Sequence, residues 1–103
     1  MDDYERKLYE QAIKKWGIDA QVKMIIEECA ELIVKLVKLD RNKNGSTADE
    51  VINEIVDVQI MINQAKIIFG EPLVNEWKKT KLGRLAKRLD EDYYKRNDNE
   101  IKT

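Results

Sequence analysis

Helix-breaking residues are rare in this chain and, Gly83 apart, fall at three places, and that spacing constrains the fold more than any other feature. One proline and four glycines occur in 103 residues. Between the breaks, the strong helix formers Lys, Glu, Leu, Ala, Arg and Gln dominate. A first helix is predicted over about residues 2–15, ending at Trp16-Gly17 with Gly17 as its C-terminal stop. Asp19 is placed to cap a second helix, about 19–39. Asp40-Arg41-Asn42-Lys43-Asn44-Gly45-Ser46 is a polar turn cluster. Thr47, with Glu50 three residues on, has capping-box spacing for a third helix, about 47–69. Gly70-Glu71-Pro72 ends that helix, and Pro72 suits the first position of a fourth, about 72–95. Residues 96–103 are expected to fray. No linker or repeat divides the chain, so the expectation is one all-α domain over 1–103, built like a four-helix bundle.

The second and third helices are richer in apolar residues than an ordinary amphipathic helix. Between Ala20 and Leu39, 13 of 20 residues are apolar; between Val51 and Phe69, 12 of 19 are. At 100° per residue, the third helix carries apolar side chains almost all round, and such a helix is buried on every side. A chain this small buries roughly two-thirds of the surface it exposes when unfolded. Four helices alone would struggle to cover the third, so a homo-oligomer, dimer or tetramer, is expected.

Composition narrows the chemistry. The chain has no histidine and one cysteine, Cys29. Ser-His-Asp and Cys-His nucleophile activation are therefore closed, as are an internal disulfide and a Cys/His zinc site. Cys29 itself reads as a small core residue. Nineteen basic residues against twenty acidic give a net charge of −1, which argues against nucleic-acid binding. No apolar run is long enough to span a membrane, and the charged first twenty residues lack a secretory signal, so a cytoplasmic protein is expected.

Carboxylates remain, and their positions are ordered. The third helix holds three charged residues between Val51 and Phe69: Glu54, Asp57 and Lys66. Acidic residues three apart occur at Asp2/Glu5, Glu28/Glu31 and Glu54/Asp57. On a helix this spacing puts both carboxylates on one face. The two internal pairs are symmetric about position 42.5, where Glu31 mirrors Glu54 and Glu28 mirrors Asp57. In an antiparallel hairpin, four carboxylates then converge on one groove. Such groups are either salt-bridged to a lysine of a neighbouring helix or neutralised by a divalent cation. Oxygen-only ligands favour Mg²⁺, with Mn²⁺ as its substitute. A di-iron site of the ferritin type needs histidines that this chain lacks. Glu27, beside Glu28, is an outer ligand, a water-orienting base or a solvated acid.

The segment Glu27-Glu28-Cys29-Ala30-Glu31, followed after 22 residues by Glu54-Ile55-Val56-Asp57, resembles the EExxE…ExxD signature of the MazG-like all-α nucleoside triphosphate pyrophosphohydrolases. The likeness covers about residues 16–90 and is nearest to the short single-domain members of bacteria and phages. It implies Mg²⁺ held by Glu28, Glu31, Glu54 and Asp57, with Glu27 participating. It also implies cleavage of a nucleoside triphosphate between the α and β phosphates, in nucleotide-pool house-cleaning. Hydrolysis of phosphoribosyl-ATP is a sibling activity on the same metal motif. A non-enzymatic helical interaction module, its acids in salt bridges, is the alternative of another class.

Phosphates also need cations. The window Lys78 to Arg88 carries six basic residues and no acid, with Lys81, Arg84 and Arg88 along one side. The family tends to place a Lys and an Arg here, which favours Lys81 and Arg84; a solvated basic face is the plainer reading. Trp16 offers a surface on which a base could stack, as aromatic residues do in relatives, or is packing at a helix junction. Asn63 offers a base or ribose contact, or a structural hydrogen bond.

Overall fold

A computed structural model describes residues 1–39 and 45–102, with side chains placed through Glu91. The turn residues Asp40 to Asn44 and the terminal Thr103 lie outside the described residues. The described chain holds four helices and no strand, so the fold is all-α. Among the described residues, no helix is long and apolar enough to cross a membrane. The chain divides into two compact units, Met1–Phe69 and Gly70–Thr103, each described by itself.

In the first unit, α1 spans Asp3–Trp16. Asp2 caps it: Asp2 Oδ1 accepts from the Glu5 amide at 2.8 Å, and Glu5 Oε2 accepts from the Asp2 amide at 3.2 Å. The acidic pair Asp2/Glu5 is therefore a reciprocal helix cap. Gly17 closes α1 at φ 90°, a conformation open to glycine at little cost, and its amide donates to the Ile13 carbonyl at 2.9 Å. Its own carbonyl accepts from the Gln21 amide at 3.1 Å. One glycine thus stops α1 and starts α2, Ile18–Leu39. Asp19, expected as the cap of α2, instead lies in its first turn, where its charge complements the positive end of the helix dipole.

The third helix, α3, spans Ala48–Phe69. Thr47 Oγ1 accepts from the Glu50 amide at 3.3 Å, as the capping-box spacing suggests. The Glu50 side chain, however, is bonded to Lys35 of α2 at 3.3 Å. At the other end of the pair, Gln21 of α2 donates to Gln64 of α3. These two bonds fix α2 and α3 as an antiparallel hairpin, and both are centred on position 42.5, the register implied by the acidic pairs. The first helix lies against both members of the hairpin, and Asn63 Nδ2 of α3 donates to Tyr9 Oη of α1 at 3.4 Å.

The interior of this unit is small. Its buried apolar residues are Tyr9, Val51 and Met61, and buried with them are the polar Gln21, Glu54 and Gln64. On α3, the buried residues Val51, Glu54, Met61 and Gln64 recur at helical spacing and form one face. Large apolar side chains remain exposed elsewhere on the hairpin, among them Ile26, Ile33 and Val37 of α2 and Ile52, Val56 and Phe69 of α3.

The second unit is the long helix α4, Glu71–Lys102. Gly70, at φ 117°, precedes it and accepts the Val74 amide at 3.1 Å. The helix begins one residue ahead of Pro72 and continues past the expected end near residue 95. The segment expected to fray is thus helical through Lys102. After Gly83 the sequence contains no glycine or proline to stop it.

Candidate functional site

The hairpin register places polar side chains in a column. On α2, Gln21, Glu28 and Lys35 recur at heptad spacing; on α3, Glu50, Asp57 and Gln64 do the same. A step of seven residues returns to nearly the same helix face, drifting by only about 20°. The antiparallel register therefore stacks three rungs along the groove: Gln21 with Gln64, Glu28 with Asp57, and Lys35 with Glu50. The outer rungs are hydrogen-bonded. Two acids face each other at the middle rung, and this is where charge accumulates.

Glu54 joins the middle rung from the buried face of α3. One carboxylate oxygen from each of Glu28, Glu54 and Asp57 lies within 4.8 Å of the other two. Glu54 is only 6% exposed. Its Oε1 and Glu28 Oε2 are both buried without a hydrogen-bond partner among the described residues. The Glu28 carboxyl titrates above its ordinary value of 4.5. Interaction with the Glu54 carboxyl is the largest cause, followed by burial and then by the charges of Glu54, Asp57 and Glu27. A buried oxygen without a partner costs about 1–3 kcal/mol. The site thus has spare acceptors, like charges held close and, among the described residues, no cation bonded to Glu54, the donor set a hard divalent ion satisfies.

Three of the four acids expected to converge are therefore brought together. Glu31 is exposed on α2 and stands outside the group. Glu27 is exposed beside Glu28, close enough to act on it electrostatically. The salt bridge of the hairpin, Lys35 with Glu50, falls on the neighbouring rung.

The remaining candidates occupy other places. Trp16 is 60% exposed, with Lys15 Nζ 5.5 Å from its ring centre. It borders a cavity of about 560 Å³ that also reaches Gln21, Met24, Met61 and Gln64. Asn63, tied to Tyr9, lines a different cavity of about 750 Å³ between α1 and α3. Lys81, Arg84 and Arg88 are exposed on α4. Cys29, the one cysteine of the chain, is half-buried.

Gln21 and Gln64 were missed in the sequence because neither belongs to a charged motif. A signal was present: each lies one heptad from an acid of the middle rung, and the two mirror each other about position 42.5. Compared with protein-family models, with curated proteins and with solved structures, the chain matches none.

Proposed function

We propose that this chain is a Mg²⁺-dependent nucleotide pyrophosphohydrolase, cutting a (d)NTP between the α and β phosphates to give (d)NMP and pyrophosphate. The observation that carries this reading is the convergence of Glu28, Glu54 and Asp57 with two buried, partnerless carboxylate oxygens. A purely structural role for these acids would leave that cost without a compensating bond. The likeness of Glu27-Glu28-Cys29-Ala30-Glu31…Glu54-Ile55-Val56-Asp57 to the MazG-like signature supports the choice of reaction.

In this reading Glu28, Glu54 and Asp57 hold Mg²⁺, or Mn²⁺ in its place. An ion held there would supply positive charge to neutralise the triphosphate and the departing pyrophosphate. The exposed Glu27 orients the attacking water and takes its proton, work that histidine does in many hydrolases and that a carboxylate must do here. Water adds its oxygen to the nucleotide phosphorus as the bond to the pyrophosphate oxygen breaks. Glu31, one turn from Glu28, contributes as an outer acid, and Lys81, Arg84 and Arg88 supply phosphate contacts.

The exposed apolar faces of α2 and α3 support a homo-oligomer, dimer or tetramer, of bundle-like helices. The test of the function is direct. Purified protein is incubated with a panel of dNTPs and Mg²⁺, and pyrophosphate is measured against orthophosphate. Monophosphate and pyrophosphate in equal amounts are expected; orthophosphate, or no product across the panel, would overturn the reading.

A further inference from the structure

The net charge of −1 averages over a chain whose charges are segregated. On α4, the window from Lys78 to Arg88 holds six cations and no acid: Lys78, Lys79, Lys81, Arg84, Lys87 and Arg88. All six are exposed. Among the described residues, none of them forms an ion pair. Like charges this dense repel along the helix, and an anion from outside the chain relieves the repulsion.

Helical spacing orders part of this charge. Trp77, Lys81, Arg84 and Arg88 follow one another by four, three and four residues. At 100° per residue they fall within an arc of about 60° and form one stripe, about 16 Å long. Trp77 stands at one end of it and is 57% exposed, so an aromatic face meets solvent in line with a row of cations. Leu82, Leu85 and Leu89 lie about 100° away around the helix. The stripe therefore stays open even where a second copy covers the leucines.

Cations in a row with an exposed aromatic ring suit a sugar-phosphate strand. Ammonium and guanidinium groups meet successive phosphates, and the indole stacks on a base. Arg84 and Arg88 add a planar, bidentate match to phosphate oxygens. An acidic peptide would satisfy the charges and leave the indole without a role. A duplex keeps its base faces inside its own stack, so the ring favours a single strand. Lys81, Arg84 and Arg88 also serve the nucleotide reading above, but a stripe of about 16 Å ending in Trp77 exceeds the span of one triphosphate.

We infer that this face of α4 binds single-stranded nucleic acid, with Lys81, Arg84 and Arg88 holding successive phosphates and Trp77 stacking on a base. The inference does not rest on the hydrolase reading, and its test uses neither metal nor nucleoside triphosphate.

In a Trp16→Phe background, Trp77 is the one remaining tryptophan of the chain. Its fluorescence is titrated in EDTA with a thymidine oligomer of about 15 nucleotides and with its uridine counterpart. A thymidine-adenosine duplex of the same length and inorganic polyphosphate, a polyanion without bases, complete the panel. Saturable quenching by one or both single strands is expected, with weaker binding of the duplex and no quenching by polyphosphate. The stronger of the two strands assigns the partner as DNA or RNA. The logarithm of affinity should fall against the logarithm of salt concentration with a slope of about −2, for three neutralised phosphates. Lys81→Gln/Arg84→Gln/Arg88→Gln should weaken binding about tenfold or more and flatten that slope toward zero. If the triple change fails to fold by circular dichroism, Arg84→Gln replaces it and should flatten the slope by about 0.7. Trp77→Leu, followed by anisotropy of a labelled oligomer, should weaken the single strand and leave polyphosphate binding unchanged. Lys14→Gln/Lys23→Gln/Lys38→Gln removes the same charge from exposed lysines of α1 and α2 and should alter neither affinity nor slope. Absence of binding, a duplex or polyphosphate bound as tightly as the oligomers, unaltered affinity in Trp77→Leu, or equal losses in the α4 variant and the lysine control would overturn the inference.

Discussion

A carboxylate oxygen of Glu28 on α2 lies within 4.8 Å of one of Glu54 on α3, across the groove of the hairpin. Two ionised carboxylates so close repel, and interaction with Glu54 is the first cause that raises the Glu28 pKa, so the pair favours sharing one proton. Glu28 accordingly holds its proton to higher pH in the folded chain than in the unfolded one. The sign follows from linkage. A raised folded pKa gives stability that is fully present below the unfolded value of 4.5 and is lost as pH rises through the folded value. In EDTA, thermal unfolding of wild type should therefore lose stability relative to Glu28→Gln over that window. Mg²⁺ should restore it at neutral pH. An identical pH profile for the two proteins would show that the shared proton is absent.

Substituting the buried acid tests the centre without relying on turnover alone. Glu54→Gln removes one like charge and gives the Glu28 carboxylate an amide donor. Metal-free stability should rise by about 1–2 kcal/mol. The same change should abolish the Mg²⁺-dependent rise in Tm and lower pyrophosphate release about a hundredfold or more. Lowered metal-free stability together with unchanged activity would place the cation elsewhere.

The outer rungs differ in burial, and their energetics should differ accordingly. Lys35 and Glu50 pair at 3.3 Å with both side chains more than a third exposed. Lys35→Met should cost no more than about 1 kcal/mol, and less in high salt. Gln21→Leu leaves the buried Gln64 without its partner, at a cost of about 1–3 kcal/mol. The double variant Gln21→Leu/Gln64→Leu should cost less than the two single changes added. Denaturant unfolding of the four proteins measures the coupling. Additive losses would mean that the two amides do not act as a pair.

Much of this architecture is legible in the sequence, and the exceptions have physical causes. Gly17, the Thr47 cap and Gly70 mark helix ends because each satisfies or frees a specific backbone group. The symmetry of Glu28/Glu31 and Glu54/Asp57 gives the hairpin register because spacing along a helix is nearly rigid. The exclusion of Glu31 is not legible, since mirrored positions fix the height of a side chain and not whether it turns into the groove. Asp2/Glu5 shares the spacing of Glu54/Asp57 and is a cap, so i,i+3 acids acquire meaning only from what lies beside them. The end of α4 is not legible near residue 95 because no glycine or proline follows Gly83 to mark one. The amide rung was missed because glutamines carry no charge to flag them.

Two glycines provide a contrasting pair of backbone tests. Gly17 sits at φ 90°, where nothing stands within 4 Å of an added Cβ, so the obstacle to a side chain is conformational strain and not space. Gly17→Ala should destabilise by about 1–2 kcal/mol. Gly83 lies inside α4, also with open space around an added Cβ, and its backbone is helical. Gly83→Ala should raise helix stability by about 0.5–1 kcal/mol, because alanine loses less freedom on folding. Thermal unfolding followed by circular dichroism should therefore move in opposite directions for the two substitutions. Shifts of the same sign would mean that Gly17 is not held at positive φ.

The last prediction concerns the surface of the hairpin. Ile26 and Ile33, one heptad apart on α2, are 64% and 62% exposed, and Ile52 of α3 is 58% exposed. Among the described residues, no large side chain is fully buried. A stable fold of this length needs more apolar surface removed from water than this interior supplies. Association of copies through these faces would provide it. Light scattering at micromolar concentration should give a mass two or four times the 12.1 kDa of one chain. Ile33→Glu should shift the mass toward one chain and lower Tm in parallel, and Tm of the wild type should rise with protein concentration. A mass of one chain with a concentration-independent Tm would show that these faces stay in water, and that the small mixed core suffices.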